Sequence, residues 1–249
     1  MKEFYCGLHH PSDAWPFERA MISVNALLKR RSGFKVNKWI MDSGAFSQIA
    51  KHGKHVLDQD QYLEYIHKFS EFGEMVAAVC QDWMCEPFIL NKTGFTIGHH
   101  QEKTLLSYVY LQESSDIPIL PVLQGFHPED YVCHVRMYGD WLKKGAWVGV
   151  GSVCKRNSNP DAIEDVLLAI KAERPDLRLH GFGLKLESIE RGTVRALLHS
   201  SDSMAWTRVG FDDADSNDPR LALRYAAKVE KLIEHPVFHV QEVMTKWWN

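Results

Sequence analysis

Short apolar runs alternate along this chain with segments whose apolar residues recur every three or four positions. The runs Phe4–Leu8, Trp39–Met41, Met75–Cys80, Ile117–Leu123, Trp147–Gly151, Leu177–Gly181 and Leu197–Met204 have the length and composition of buried strands. Between them, Tyr62, Ile66 and Phe69 share one helical face, Tyr131, Val135, Tyr138 and Leu142 a second, and Ile163, Val166, Leu167 and Ile170 a third. Asn159-Pro160 and Asp218-Pro219 each supply an N-cap followed by proline at the first helical position. The second of these opens a helix predicted to turn Leu223, Ala226, Val229 and Ile233 inward. Strands and helices taking turns with no linker or low-complexity segment predict an α/β fold. A length of 249 residues suits one TIM-type (β/α)8 barrel forming a single domain over residues 1–249. The strand count is seven, so either Pro236–Val240 adds an eighth or the barrel is abbreviated.

The carboxyl ends of these strands carry the more telling pattern. Trp39-Ile40-Met41 runs into Asp42-Ser43-Gly44, and a core strand has no packing reason to finish on a carboxylate and a flexible turn. The later strands lead to Gln81-Asp82, Gln124-Gly125, Gly149-Val150-Gly151-Ser152, His180-Gly181-Phe182-Gly183 and Ser201-Asp202-Ser203. Each alone has a plain structural reading, because aspartate caps helices and glycine makes turns. In a parallel barrel, however, all these ends share one rim, so three carboxylates, a primary amide and several glycines converge on one pocket. Carboxylates in such a group can divide labour, one attacking an electrophilic carbon while another manages protons, as at anomeric carbons. Glycines let backbone groups approach a flat ligand, on which Phe46 and Trp206 are candidates to stack.

Composition narrows the setting. The five cysteines are scattered, with neither C-x-x-C nor C-x-C spacing, and no H-E-x-x-H accompanies the thirteen histidines, so no metal site is predicted. No apolar stretch approaches the ~18 residues needed to span a bilayer, and Met1–Tyr5 does not begin a secretory signal. A cytoplasmic location without membrane association is expected. Net charge is −3, which excludes a global basic field for nucleic acid. Of the local clusters Lys29-Arg30-Arg31, Lys143-Lys144 and Lys155-Arg156, only the last adjoins a strand end and suits a phosphate contact.

The strand-end segments resemble those of the tRNA-guanine transglycosylase superfamily. Asp42-Ser43-Gly44-Ala45-Phe46 is similar to its D-S-G-G-[FY] signature, and Asp202-Ser203-Met204-Ala205-Trp206-Thr207-Arg208 to its D-x-x-x-P-T-R segment. Val122-Leu123-Gln124-Gly125 resembles V-Q-G-G, Val148–Val153 resembles I-G-G-L-A-V, Leu179–Gly183 resembles L-M-G-V-G, and Ala78–Asp82 fits the strand bearing the base-reading aspartate. Six motifs keep their order from residue 39 to about 208. Ala45 and Trp206 depart from the signatures, and the family's zinc motif, C-x-C-x-x-C with a distant His, is missing. A short, zinc-free relative looks like the branch that places 7-deazaguanine bases into DNA.

That resemblance implies a base-exchange enzyme that replaces guanine in DNA with a 7-deazaguanine derivative. Asp202 would attack C1′ and expel guanine, and Asp42 would act as general acid/base on the ring nitrogen of the incoming base. Asp82 and Gln124, in the Gln124-Gly125 segment, would bond the guanine-like edge, with Gly151 or Ser152 adding backbone groups. Phe46 and His180 would sandwich the ring, Ser43 would bond near the base or ribose, and Lys155, Arg156 and Arg208 would hold phosphates. The target base must be flipped out of the duplex. Exchange conserves the energy of the glycosidic bond and needs no cofactor beyond the free base as co-substrate. The acidic net charge calls for help with DNA, from a duplex-opening partner protein or from a local basic groove. The rival readings are the same chemistry on tRNA, a non-catalytic nucleic-acid-binding accessory subunit, and a carbohydrate glycosidase. The last explains the carboxylates but not the base-reading segments.

Overall fold

The structure, a computed structural model, describes residues 1–156, 159–208 and 218–234, with Lys155 and Arg208 described by backbone alone. Nine strands form one parallel sheet: β1 (Glu3–Leu8), β2 (Arg19–Ser23), β3 (Lys38–Asp42), β4 (Glu74–Val79), β5 (Ile119–Leu120), β6 (Val122–Leu123), β7 (Trp147–Val150), β8 (Arg178–Gly181) and β9 (Ser200–Ser203). Their spatial order is β5-β4-β3-β2-β1-β9-β8-β7-β6. The two ends of that order, β5 and β6, are separated in the chain only by Pro121. The Leu120 carbonyl accepts from Cys80 N–H toward β4 (3.1 Å), and the Pro121 carbonyl accepts from Gly149 N–H toward β7 (2.8 Å). One interrupted segment thus serves both neighbours, and the sheet runs round on itself as a nearly closed barrel of eight strand positions.

All seven sequence-predicted strands are present, and the Ile117–Leu123 run is split at Pro121, which has no N–H for the ladder. The eighth position is filled by β2, which pairs in parallel with β1 and β3. Its apolar core is only Ala20-Met21-Ile22 between an arginine and a serine, too short to stand out as a run. Residues 236–240 lie outside the described residues. The abbreviation lies in the helices. Among the described residues, β1–β2 and β2–β3 are joined through single 3-10 turns, Pro11–Asp13 and Val24–Ala26, where a barrel ordinarily carries helices.

The remaining connections are helical. Ala45–His52 and Gln59–Ser70 follow β3, Pro87–Thr93 and Ile97–Ser114 follow β4, and Pro128–Tyr138 follows β6. Pro160–Glu173 follows β7, Leu186–Glu190 and Gly192–Leu197 follow β8, and Pro219–Glu234 follows β9. The Asn159 side chain accepts from Ala162 N–H (3.3 Å), and Asp58 and Gln61 form a reciprocal capping box, devices worth roughly 1 kcal/mol each. Ile163, Val166, Leu167 and Ile170 are buried, contributing roughly 1.5–3 kcal/mol apiece. In the last helix the buried face is Ala222, Tyr225, Ala226 and Val229. Leu223, predicted inward, is one position out of phase with that face and is exposed.

Three buried tyrosines fasten helices to strand ends: Tyr62 donates to Val79 O (2.8 Å), Tyr131 to Gly151 O (2.8 Å) and Tyr138 to Val122 O (3.0 Å). An apolar ring with a polar tip suits that junction between core and rim. No described helix is long and apolar enough to cross a membrane.

Candidate active site

The carboxyl ends of the strands surround a pocket of about 730 Å³, counted with the solvent at its mouth. Asp42, Phe46, Asp82, Gln124, Gly151, Ser152 and Asp202 all stand in its wall. The topology therefore gathers residues 160 positions apart in sequence (202 − 42).

Asp42 ends β3 opposite Ser23 of β2. Its Oδ2 accepts from Gly44 N–H (3.0 Å), and the Ser23 hydroxyl also bonds the carboxylate. Gly44 has a left-handed φ of 71°, and a Cβ there would fall 2.4 Å from Asn25 Nδ2, so only glycine fits this turn. Burial, reinforced by the charge of Asp202, pushes the Asp42 carboxyl up to about 6, against the pull of its two hydrogen bonds.

Asp82 receives donors on both oxygens, Ser43 Oγ on Oδ1 (3.0 Å) and Gln124 Nε2 on Oδ2 (2.5 Å). Burial first, and then the neighbouring Asp42, raise its carboxyl to about 7. Gln124 is fixed at every polar group. Its backbone N–H donates to His134 Nδ1 (2.9 Å), its carbonyl accepts from Gln101 Nε2 (2.7 Å), and its Oε1 accepts from Ser152 Oγ (2.8 Å). His134 must then be the neutral Nε2–H tautomer, donating to Gln101 O (3.1 Å), and burial holds its pKa down at about 3. A Cβ on Gly151 would fall 2.2 Å from Gln124 Nε2, so this glycine makes room for the amide.

Ser152 also braces the neighbouring loop. Its Oγ accepts from Cys85 N–H (3.0 Å) and lies 3.0 Å from Glu86 Oε2, so its single hydrogen is shared between Gln124 and Glu86. It is the one non-glycine among the described residues with positive φ (55°), a strained conformation of the kind that persists where surroundings over-determine it.

Asp202 stands on β9. Its Oδ1 accepts from Gly183 N–H (2.9 Å) and meets His180 Nε2 at 3.3 Å. A carboxylate oxygen can only accept, so the imidazole hydrogen facing Asp202 is on Nε2, while Nδ1 meets the Ser200 hydroxyl (2.9 Å), to which Trp147 Nε1 donates (2.8 Å).

Several predicted site residues sit elsewhere. His180 is fully buried below the pocket, packed edge-on against Tyr5, Trp147 and Phe182, and has no face for a stacked ring. Trp206 is core, donating to Gly7 O (2.8 Å). Gly125 is outside the wall, with Asp130 and Tyr131 filling the space a Cβ would take. Ser43 is buried outside the pocket wall and donates to Asp82. The Arg156 guanidinium lies over the Phe126 ring (5.0 Å) and donates to the Ser152 and Phe126 carbonyls. The side chains of Lys155 and Arg208 lie outside the described residues.

Sequence reasoning missed Ser23, Glu86 and Phe182, which also line the pocket. Ser23 went with the unrecognised strand. Glu86 sits seven residues beyond β4 on a loop whose position no periodicity announces, whereas Phe182, inside the Leu179–Gly183 segment, was legible. Among the described residues, no group of three or more His, Cys, Asp or Glu side chains is placed to hold a metal ion.

A sequence model of the family described as DpdA, DeoxyPurine in DNA protein A, matches residues 1–248. No curated protein matches the chain.

Proposed function

The chain belongs to the DpdA family, the 7-deazaguanine DNA transglycosylase branch of the tRNA-guanine transglycosylase superfamily, and from that premise we propose that it exchanges guanine in DNA through a covalent glycosyl–Asp202 intermediate. The observation that carries this reading is one pocket holding Asp202, held by N–H donors, together with two carboxyls raised toward neutrality.

With Oδ1 engaged by Gly183 and His180, Asp202 Oδ2 is the nucleophile. It forms a bond to C1′ as the bond from C1′ to guanine N9 breaks, and the bonding pair leaves with the base. Asp42, at about 6, lies in the range where a general acid and base works near neutral pH. Its proton goes to the departing guanine. The same carboxylate then takes the N9 proton of the incoming 7-deazaguanine derivative, whose nitrogen attacks C1′ and releases Asp202. The proton balance closes within the cycle. Asp82 and Gln124 read the base edge, the carboxylate accepting ring and exocyclic N–H groups. Phe46, half-exposed in the wall, supplies the stacking face. His180 is a positioning residue, orienting the carboxylate that attacks.

The test offers purified protein isotope-labelled guanine with either DNA or tRNA. Label in DNA, together with a protein–DNA adduct that survives denaturation, is expected. Label in tRNA alone would overturn the DNA assignment.

A further inference from the structure

Next to the pocket, the connections after β3 and β4 continue beyond Phe46 and Asp82 into a shelf that the base-exchange chemistry does not use. Helix Ala45–His52 starts at the pocket with Phe46 and runs outward, carrying Lys51 about 9 Å along its axis from Ala45. Residues 45–57 expose Lys51, His52 and Lys54 with no acidic residue, in a chain whose net charge is −3, while burial pushes the His55 imidazole down to about 4 and leaves it out of this charge. Lys92, from the helix after β4, packs beside Gly53 and extends this basic edge. Among the described residues, none of Lys51, Lys54 and Lys92 forms an ion pair within the protein.

Aromatic rings pave the same shelf. Phe88 is 48% exposed and meets Phe46 edge-on (6.3 Å), so the apolar surface continues outward from the pocket. Phe95 is 39% exposed and meets Trp83 edge-on (6.2 Å). Lys103 lies over both rings, with Nζ 4.7 Å from the Trp83 centroid and 5.1 Å from that of Phe95. Exposed rings interleaved with cations, continuous with a pocket that takes one base, match the chemistry of a single nucleic-acid strand, with bases stacking on rings and phosphates meeting lysines.

Resting on the base-exchange reading of the pocket, we infer that the DNA strand flanking the extruded guanine lies across this shelf, its phosphates on Lys51, Lys54 and Lys92 and its neighbouring bases on Phe88 and Phe95. The local basic groove that an acidic protein needs is thus on the β3–β4 side of the mouth. Arg156, on the β7 side, has its guanidinium committed to backbone carbonyls.

The experiment measures binding of a fluorescein-labelled single-stranded oligonucleotide containing one guanine, by anisotropy over a salt series. The proteins are wild type, the triple variant Lys51→Ala, Lys54→Ala, Lys92→Ala, the double variant Phe88→Ala, Phe95→Ala, and a control, Lys143→Ala, Lys144→Ala, at the opposite barrel end. Loss of three phosphate contacts is expected to flatten the slope of log K against log salt by about 2, which is roughly 100-fold at 0.1 M. The double phenylalanine variant is expected to bind about tenfold more weakly with an unchanged slope, and the control as wild type. Circular dichroism melting checks that each variant is folded. Undiminished binding by the triple variant, or equal weakening by the control, would overturn the shelf while leaving the site reading intact. A wild type that exchanges guanine in tRNA alone would overturn the site reading itself.

Discussion

Asp82 lies just beyond β4 and Asp202 stands on β9, four strand positions apart whichever way round the barrel one travels. The two carboxylates face one pocket but are held by different chemistry. Asp202 meets a backbone N–H and an imidazole whose far nitrogen is held by Ser200, itself bonded by Trp147. Asp82 meets a hydroxyl and an amide, and with its neighbour Asp42 it is buried deeply enough that both carboxyls rise toward neutral pH. Under the proposed mechanism, the contrast separates a side that aims a carboxylate from a side that holds and hands over protons.

Mutating each side in turn tests that division. Asp202→Asn is expected to lower exchange by at least about 10⁴-fold and to abolish the denaturation-resistant adduct, read by labelled-guanine exchange and gel mobility. Equal activity in this variant would end the nucleophile assignment. Asp42→Asn removes acid/base help and is expected to cost about 10²- to 10⁴-fold while leaving Asp202 able to form adduct slowly. Identical adduct loss in both variants would erase the distinction between the two sides.

Protonation gives a further handle. The folded protein holds protons on Asp42 and Asp82 that an unfolded chain releases near pH 4, so stability should fall as pH rises from about 4 to about 7 and then level off. Urea unfolding at about pH 5 and about pH 8 is expected to differ by on the order of 1–4 kcal/mol from this pair, and Asp82→Asn should shrink the difference. Guanine affinity should run the other way, strengthening through about pH 7 as Asp82 becomes an acceptor. The smallest effect belongs to Ser200→Ala. It removes the bond that anchors His180 Nδ1 and is expected to lower kcat about tenfold with KM unchanged, whereas a change in KM alone would remove the positioning role.

Much of this was legible in the sequence because strand ends in a parallel barrel share one rim. Asp42, Asp82 and Gln124 are polar residues following apolar runs, Asp202 sits in a strand of serines, and the topology brings all four to one pocket. What was not legible depends on depth and backbone twist. His180 lies on the same short strand as Gly181, and only the three-dimensional layer distinguishes a residue under the pocket from one in its wall. Trp206 reads as a stacking aromatic until its indole is seen bonding Gly7 inside the core. The left-handed backbone at Ser152 has no sequence signal, because serine does not demand it. Strand β2 escaped because three apolar residues carry too little periodicity, and Ser23, the partner of Asp42, escaped with it.

The pairing of β1 with β9 sets Phe4 against Ser201 and Tyr5 against Asp202, joining residues near opposite ends of the described chain. Such a contact has the highest sequence separation in the barrel and closes a very large loop, which favours its formation late in folding. Closing the ring and seating Asp202, the proposed nucleophile, are therefore one event. A chain still folding, or one that has lost β9, holds Asp42 and Asp82 without Asp202. For an enzyme working by the proposed mechanism, completion of the fold becomes the condition for cutting any base from its sugar.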